Sequence, residues 1–176
     1  MAATNRAEAK SALKGGAAAG AIAGAVLTAF MIVMALVKGM DPWQTALKGA
    51  AAPLLGDAAM RPGFELGPVL LGLVCHFAVS IGWGLLFGLI AYGLSKPMTM
   101  LAGALWGVVV WLGMFYVVLP LVGLADMARE SPVSTAVIYH VFFGIALGAG
   151  FLPFQRRKHA THGRHHEHGH HVPAHG

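Results

Sequence analysis

The absence of charge from most of this chain constrains its fold more than any other feature. Residues 15–37, 66–95, 97–125 and 131–155 contain no Asp, Glu, Lys or Arg. A helix needs about 20 apolar residues to cross a hydrocarbon core of about 30 Å, so each stretch can cross once. Barrel strands would alternate polar and apolar positions over segments of about ten residues, and no such alternation is visible. The expectation is an all-α membrane protein with four transmembrane helices. Of 176 residues, 57% are hydrophobic and 11% charged, against about 25% charged in an ordinary soluble domain. A disordered chain is excluded and a soluble globular enzyme disfavoured. The single cysteine excludes an intramolecular disulfide and a cysteine-based zinc finger.

Three regions follow: a cytoplasmic N-terminal segment (1–14), the four-helix membrane domain (15–155) and a histidine-rich disordered cytoplasmic tail (156–176). Arg6, Lys10 and Lys14 resemble the n-region of a signal peptide. The apolar run behind them exceeds an h-region of about 7–15 residues and lacks a clear cleavage site, so a retained helix is expected. With both ends inside, the cytoplasmic side carries Arg6, Lys10, Lys14, Lys96, Arg156, Arg157, Lys158 and the more distant Arg164. The outer side carries Lys38, Lys48, Arg61 and Arg129. The positive-inside rule then predicts that both termini are cytoplasmic. In the connection 38–65, Asp41-Pro42 reads as a helix start and Pro53 and Gly56 as its stop. Trp43, Leu47, Ala50 and Ala51 share one face, which predicts a short interfacial helix anchored by Trp43.

The helices repeat in pairs. Helix two reads Gly72-x3-His76-x3-Ser80-x3-Gly84-x3-Gly88, and helix four Ala136-x3-His140-x3-Gly144-x3-Gly148. Helix one carries Gly16, Gly20, Gly24 and Thr28 at the same step, and helix three Thr99, Gly103 and Gly107. A four-residue step keeps small residues on one stripe, where they let two backbones approach without a hydrophobic driving force. The pattern predicts two hairpins forming a parallel internal repeat, with Gly20, Gly24, Gly84, Gly103, Gly107, Gly144 and Gly148 at packing seams. The segments HFAVSIGWGLLFGLIAY (76–92), LAGALWGVVVWLGMFYVVLPLVG (101–123) and HVFFGIALGAGF (140–151) carry a further likeness. The histidine near the start of helices two and four, the Gly-Ala start of helix three and Pro120-x-x-Gly123 resemble the small, uncharacterised YagU-like proteins of the bacterial inner membrane. The resemblance covers about half the chain. It implies a helical inner-membrane fold and no established activity, and leaves the tail outside.

Two side chains that titrate near neutrality, His76 and His140, fall inside the apolar stretches. Polar groups there are costly and turn toward the bundle interior. Both lie about two turns into helices of the same direction, so they share a depth in the outer third of the bilayer. Ser80, Cys75 and Tyr139 are their polar neighbours in sequence, and counting inward brings Met31, Met34 and Met114 to that level. Two imidazoles with thioethers suit Cu(I), while two imidazoles completed by water suit Zn(II). A pair of histidines also suits haem b. Proton relay, and plain hydrogen-bonded helix packing, are the other uses. The tail holds His159, His162, His165, His166, His168, His170, His171 and His175. Imidazoles so spaced chelate Ni, Zn or Cu(II), or make a pH-sensitive tail drawn to anionic lipid.

No phosphate-binding loop, nucleophile elbow, HExxH motif or paired intramembrane carboxylate is present in the sequence, so no enzyme reading has a motif behind it. The basic run Arg156–Lys158 lacks interleaved aromatics and reads as a topology anchor rather than a nucleic-acid site. The lipid bilayer is the expected partner, with self-association or a larger membrane complex beside it. Three functions compete: a metal-related membrane protein, a structural or accessory subunit without chemistry of its own, and a haem-b electron carrier or proton-handling protein.

Overall fold

A computed structural model describes residues 2–155, so the histidine-rich tail lies outside the described residues. The described chain is helical and without strands. Four helices are long and apolar enough to cross a membrane: α1 (Ala2–Val37), α2 (Leu66–Ala91), α3 (Lys96–Leu121) and α4 (Val133–Phe151). The segment 2–14 is the first part of α1 rather than a separate element. Pro97 and Pro132 stand at the starts of α3 and α4, where a missing backbone N–H is no loss. Toward its end α3 widens into a π turn, Met114–Val118. Pro120, which cannot donate to the carbonyl one turn back, accounts for that irregularity. Gly123, at φ +81°, then ends the helix: Leu124 N–H reaches back to Leu119 O.

The small-residue stripes set the packing. In α1 and α2, Gly20 lies so close that a methyl group on it would stand 2.6 Å from Ser80 O and 3.2 Å from Gly84 Cα. Gly16, Gly84 and Gly88 meet facing backbone just as closely, and Gly24 meets the Ser80 side chain. In α3 and α4, a methyl on Gly103 would stand 2.5 Å from Gly144 O and 2.9 Å from Gly148 Cα. Gly107 abuts His140 O and Val141 Cα, and Gly144 faces Gly103 and Gly107. The seams thus join α1 to α2 and α3 to α4. Between them α1 packs on α4 through Ala19 and Gly150, and through Phe30 stacked on Phe142 with centroids 4.3 Å apart. The α2–α3 side is looser. There Trp83 covers Gly113 and meets Trp106 edge-on at 6.0 Å, while Trp106 Nε1–H donates to Trp83 O at 3.3 Å. Phe87, Phe143, Leu147 and Phe151 fill the centre. Many large apolar side chains, among them Leu86, Leu89, Ile90, Leu101 and Leu105, face outward, as a lipid-facing surface requires.

The α1–α2 connection differs from the single interfacial helix expected. It is a string of short turns: a π turn (Trp43–Leu47), a 3-10 turn (Lys48–Ala51), one α turn (Ala52–Leu55) and another 3-10 turn (Gly56–Met60). Pro53, and Gly56 at φ +55°, break continuous helix. Trp43 is exposed and leans on Phe64 at 4.9 Å. The buried side of the connection is Ala46, Leu47, Ala51 and Ala52. It presses on α2 at Gly72, where only hydrogen leaves room for the Leu47 carbonyl. Lys48 is fully buried: its ammonium donates to Arg61 O and pairs with Glu65 Oε2 at 3.1 Å. Asp41 accepts from Trp43 N–H at 2.9 Å and from Gly63 N–H, clipping the two ends of the connection together. The Gly63 bond is the leading cause holding the Asp41 carboxyl below its ordinary value.

Candidate functional site

His76 and His140 line one small cavity of about 100 Å³. Leu27 of α1, Ser80 and Trp83 of α2, Met114 of α3 and Phe143 of α4 complete its wall, so every long helix contributes. His76 Nε2–H donates to Gly24 O at 3.0 Å, tying α2 to α1. His140 Nδ1–H donates to Ala136 O, one turn back in its own helix, at 2.7 Å. A carbonyl only accepts, so the bonded nitrogen carries the proton in each ring; in a neutral imidazole the other nitrogen keeps a lone pair. The rings are therefore placed alike but held differently. The helices approach more closely at Gly107 and His140 than at Gly24 and Ser80, which leaves the second ring less room between backbones. Phe77 packs edge-on against His76, and Phe115 against His140, each with centroids 5.7 Å apart. Trp83 Nε1–H donates to Met114 Sδ at 3.4 Å, which orients the thioether from α2.

The sequence placed Met31, Met34 and Met114 at one level around the histidines. Only Met114 lines their cavity. Met31 and Met34 turn into a neighbouring cavity of about 220 Å³ between α1 and α4, with Met40, Lys38, Thr135 and Tyr139. Tyr139 also meets Phe30 edge-on at 5.5 Å. Counting residues yields depth, but the direction around the helix separates these methionines. Cys75 is a free, half-buried thiol outside the histidine cavity. Among the described residues no three His, Cys, Asp or Glu side chains cluster as metal ligands. The eight tail histidines fall outside the described residues.

Several polar residues escaped the sequence reading. Trp83 and Lys48 are two. Gln155 is a third: it accepts from Gly93 N–H at 2.9 Å and donates to Ala91 O at 2.9 Å and Thr99 Oγ1 at 2.6 Å. It thereby locks the end of α4 to the α2–α3 turn. Trp111 Nε1–H is buried without an acceptor among the described residues, beside Phe115. No local pattern marks these side chains, because their partners lie far away in the chain.

The sequence model of a family of unknown function, DUF6789, matches residues 11–162 and so spans all four membrane helices. The chain belongs to this family. The match stops inside the tail, leaving six of its eight histidines, His165 to His175, beyond it. Neither a curated protein nor a solved structure matches the chain, so no named relative supports a YagU-like relationship. Membership in DUF6789 and four membrane-capable helices make this a multi-pass membrane protein of unassigned activity.

Proposed function

We propose that this DUF6789 protein is a four-span inner-membrane protein, with both termini cytoplasmic, that holds one soft metal ion, Cu(I), between His76, His140 and Met114. The observation that carries the reading is the convergence of two imidazoles and a thioether on one cavity. A hydrogen bond from the remote ring nitrogen to a carbonyl is the usual second partner of a metal-binding histidine, and both rings have one. Imidazole and thioether together suit Cu(I). The cavity, about 100 Å³, is far below the ~300 Å³ at which organic ligand sites begin, so one ion fits it better than a haem. Support for the two-hairpin repeat comes from the seams. Aligning His76 with His140 matches Ser80 with Gly144 and Gly84 with Gly148. Gly20 faces the first pair as Gly103 faces the second. In this proposal the tail collects Ni, Zn or Cu(II) at the cytoplasmic face.

The test uses the full chain with the eight tail histidines changed to Gln, purified in detergent and offered chelator-buffered Cu(I). One ion per chain is expected. His76→Leu and His140→Leu should abolish it, and Met114→Leu, close in volume, should weaken it. No ion in the parent, or an unchanged ion in both histidine variants, overturns the reading.

A second reading rests on the same hydrogen bonds. His76 donates across to α1 at Gly24 O, and His140, whose own hydrogen bond stays within α4, meets Phe115 of α3 edge-on; such polar and aromatic contacts bind helices together in membranes. The protein is then an accessory subunit, and histidine substitution lowers its melting temperature without any metal phenotype.

A further inference from the structure

Three cavities that follow one another along α4 and the residues just ahead of it share one side-chain type. The chain has nine methionines, and six of them line these cavities; Met98 and Met100 do not. The widest cavity, about 470 Å³, lies between the two connections at the end of the bundle and is lined by Met60 and Met127 with the carboxylates of Asp57 and Glu130. The next, about 220 Å³, holds Met31, Met34 and Met40. The smallest, about 100 Å³, holds Met114 with the two histidines.

Their order follows one stripe of α4. Pro132 lines both the first and the second cavity, Thr135 and Tyr139 the second, and His140 and Phe143 the third. Positions 132, 135, 139 and 143 recur at three- and four-residue steps, hence on one face. From Pro132 to His140 is eight residues, about 12 Å of helix rise. Met31 on α1 likewise stands one turn from Leu27 of the histidine cavity.

From this placement we infer that the methionines form a graded entry route for a soft monovalent cation, running from the connection end of the bundle to the His76–His140 site. The inference rests on the proposed metal site and adds the direction and means of its loading. Two carboxylates at the mouth attract a cation without selecting it. Thioethers then select: they are neutral, weak and soft, so they hold Cu(I) or Ag(I) and turn away hard ions. Weak sites in series let the ion exchange one sulfur for the next, with no change in its charge, until two imidazoles hold it more firmly. Lys38 is the one cationic group among the residues lining the middle cavity. It is exposed, and its long stem lets the ammonium reach water rather than the thioethers. Ordinary gap-filling also uses methionine. Only the route predicts that conservative loss of sulfur changes a rate.

The test again uses the full chain with tail histidines changed to Gln, reconstituted in phosphatidylethanolamine–phosphatidylglycerol vesicles. Ag(I), a redox-inert stand-in for Cu(I), is added on the connection side and loading is followed by tryptophan fluorescence. Trp83 reports arrival because its indole touches Met114 Sδ, and Trp83→Phe identifies its share of the signal. Met31→Leu/Met34→Leu/Met40→Leu should slow loading by about tenfold, equivalent to ~1.4 kcal/mol of barrier, with the final occupancy unchanged. Met98→Leu/Met100→Leu should load as the parent does. If the triple variant fails to insert, the three single variants replace it, each slower than the parent. A parent that holds the ion and a triple variant that loads equally fast overturn the route alone. Equal slowing by the Met98/Met100 pair overturns it too. A parent that never holds the ion removes the site, and the route with it.

Discussion

Adding one methyl group at Gly144 and at Gly148 should have unequal consequences, although the two glycines lie one turn apart on the same stripe. At Gly144 the new carbon would meet only backbone: it would overlap Gly103 O and stand 2.6 Å from Gly107 N and 2.8 Å from Gly107 Cα. Backbone cannot rotate away. Relieving the overlap with Gly103 O, the tightest of these, to an ordinary contact of about 3.4 Å requires α3 and α4 to part there by roughly 1.2 Å, and a gap of only about 0.5–1 Å already forfeits a quarter to a half of each dispersion contact along the seam. Overpacking against backbone that cannot move aside falls in the upper part of the usual range, about 2–3 kcal/mol, partly offset by the ~1 kcal/mol helix preference of Ala over Gly. Gly144→Ala should therefore lose about 1–2 kcal/mol. At Gly148 the methyl would stand 3.1 Å from Thr99 O and 3.4 Å from Gly103 Cα. A shift of a few tenths of an ångström suffices, and the helix preference of ~1 kcal/mol offsets it, so Gly148→Ala should be near neutral. A methyl on Gly82 would meet nothing within 4 Å, and Gly82→Ala should equal or exceed the parent. Thermal unfolding in detergent, followed by circular dichroism, should rank them Gly82→Ala, parent and Gly148→Ala together, then Gly144→Ala lower by about 2–8 °C. Gly144→Ala melting with Gly148→Ala would refute backbone contact as the basis of this seam.

Three further outcomes follow from other parts of the molecule. In a Cys75→Ser background, single cysteines placed after Lys96 and after Phe154 should react only from the cytoplasmic side; labelling of either from outside in intact cells contradicts the charge-based orientation. The Asp41 carboxyl is held below its ordinary value of 3.8 by Gly63 N–H first of all. Because the folded value is the lower one, the clip contributes above pH 3.8 and is lost as pH falls through the folded value. The protection of the Gly63 amide, its exchange rate taken relative to the intrinsic rate at the same pH, should thus be lost only in that acid range, and Asp41→Ala should show low protection at neutral pH as well. Lys48→Met keeps the buried stem but removes the ammonium's bonds to the Arg61 carbonyl and to the Glu65 carboxylate, which is 41% exposed and open to water. A loss of about 1–3 kcal/mol is expected in thermal unfolding, and Glu65→Gln should recover less than half of it.

Four spans were legible in the sequence because hydropathy is a local property: an apolar run without charges has few folds open to it in a bilayer. The seam glycines were legible for a related reason, since a four-residue step is preserved on a helix whatever surrounds it. The repetition of the stripe pointed to hairpins of neighbouring helices, but not to the register of their contact. That register depends on how two surfaces match, down to Gly144 lying over Gly103 and Gly107. Depth was readable by counting residues, and it placed His76 and His140 at one level. Direction around the helix was not, which is why Met114 joined the histidines while Met31 and Met34 faced the next cavity. The connection between α1 and α2 shows the remaining limit. Asp41 and Gly63, or Lys48 and Glu65, are separated by stretches whose path local preference leaves open. Only packing against α2 at Gly72 brings them together, because a carbonyl can press against a helix where there is no side chain to stop it.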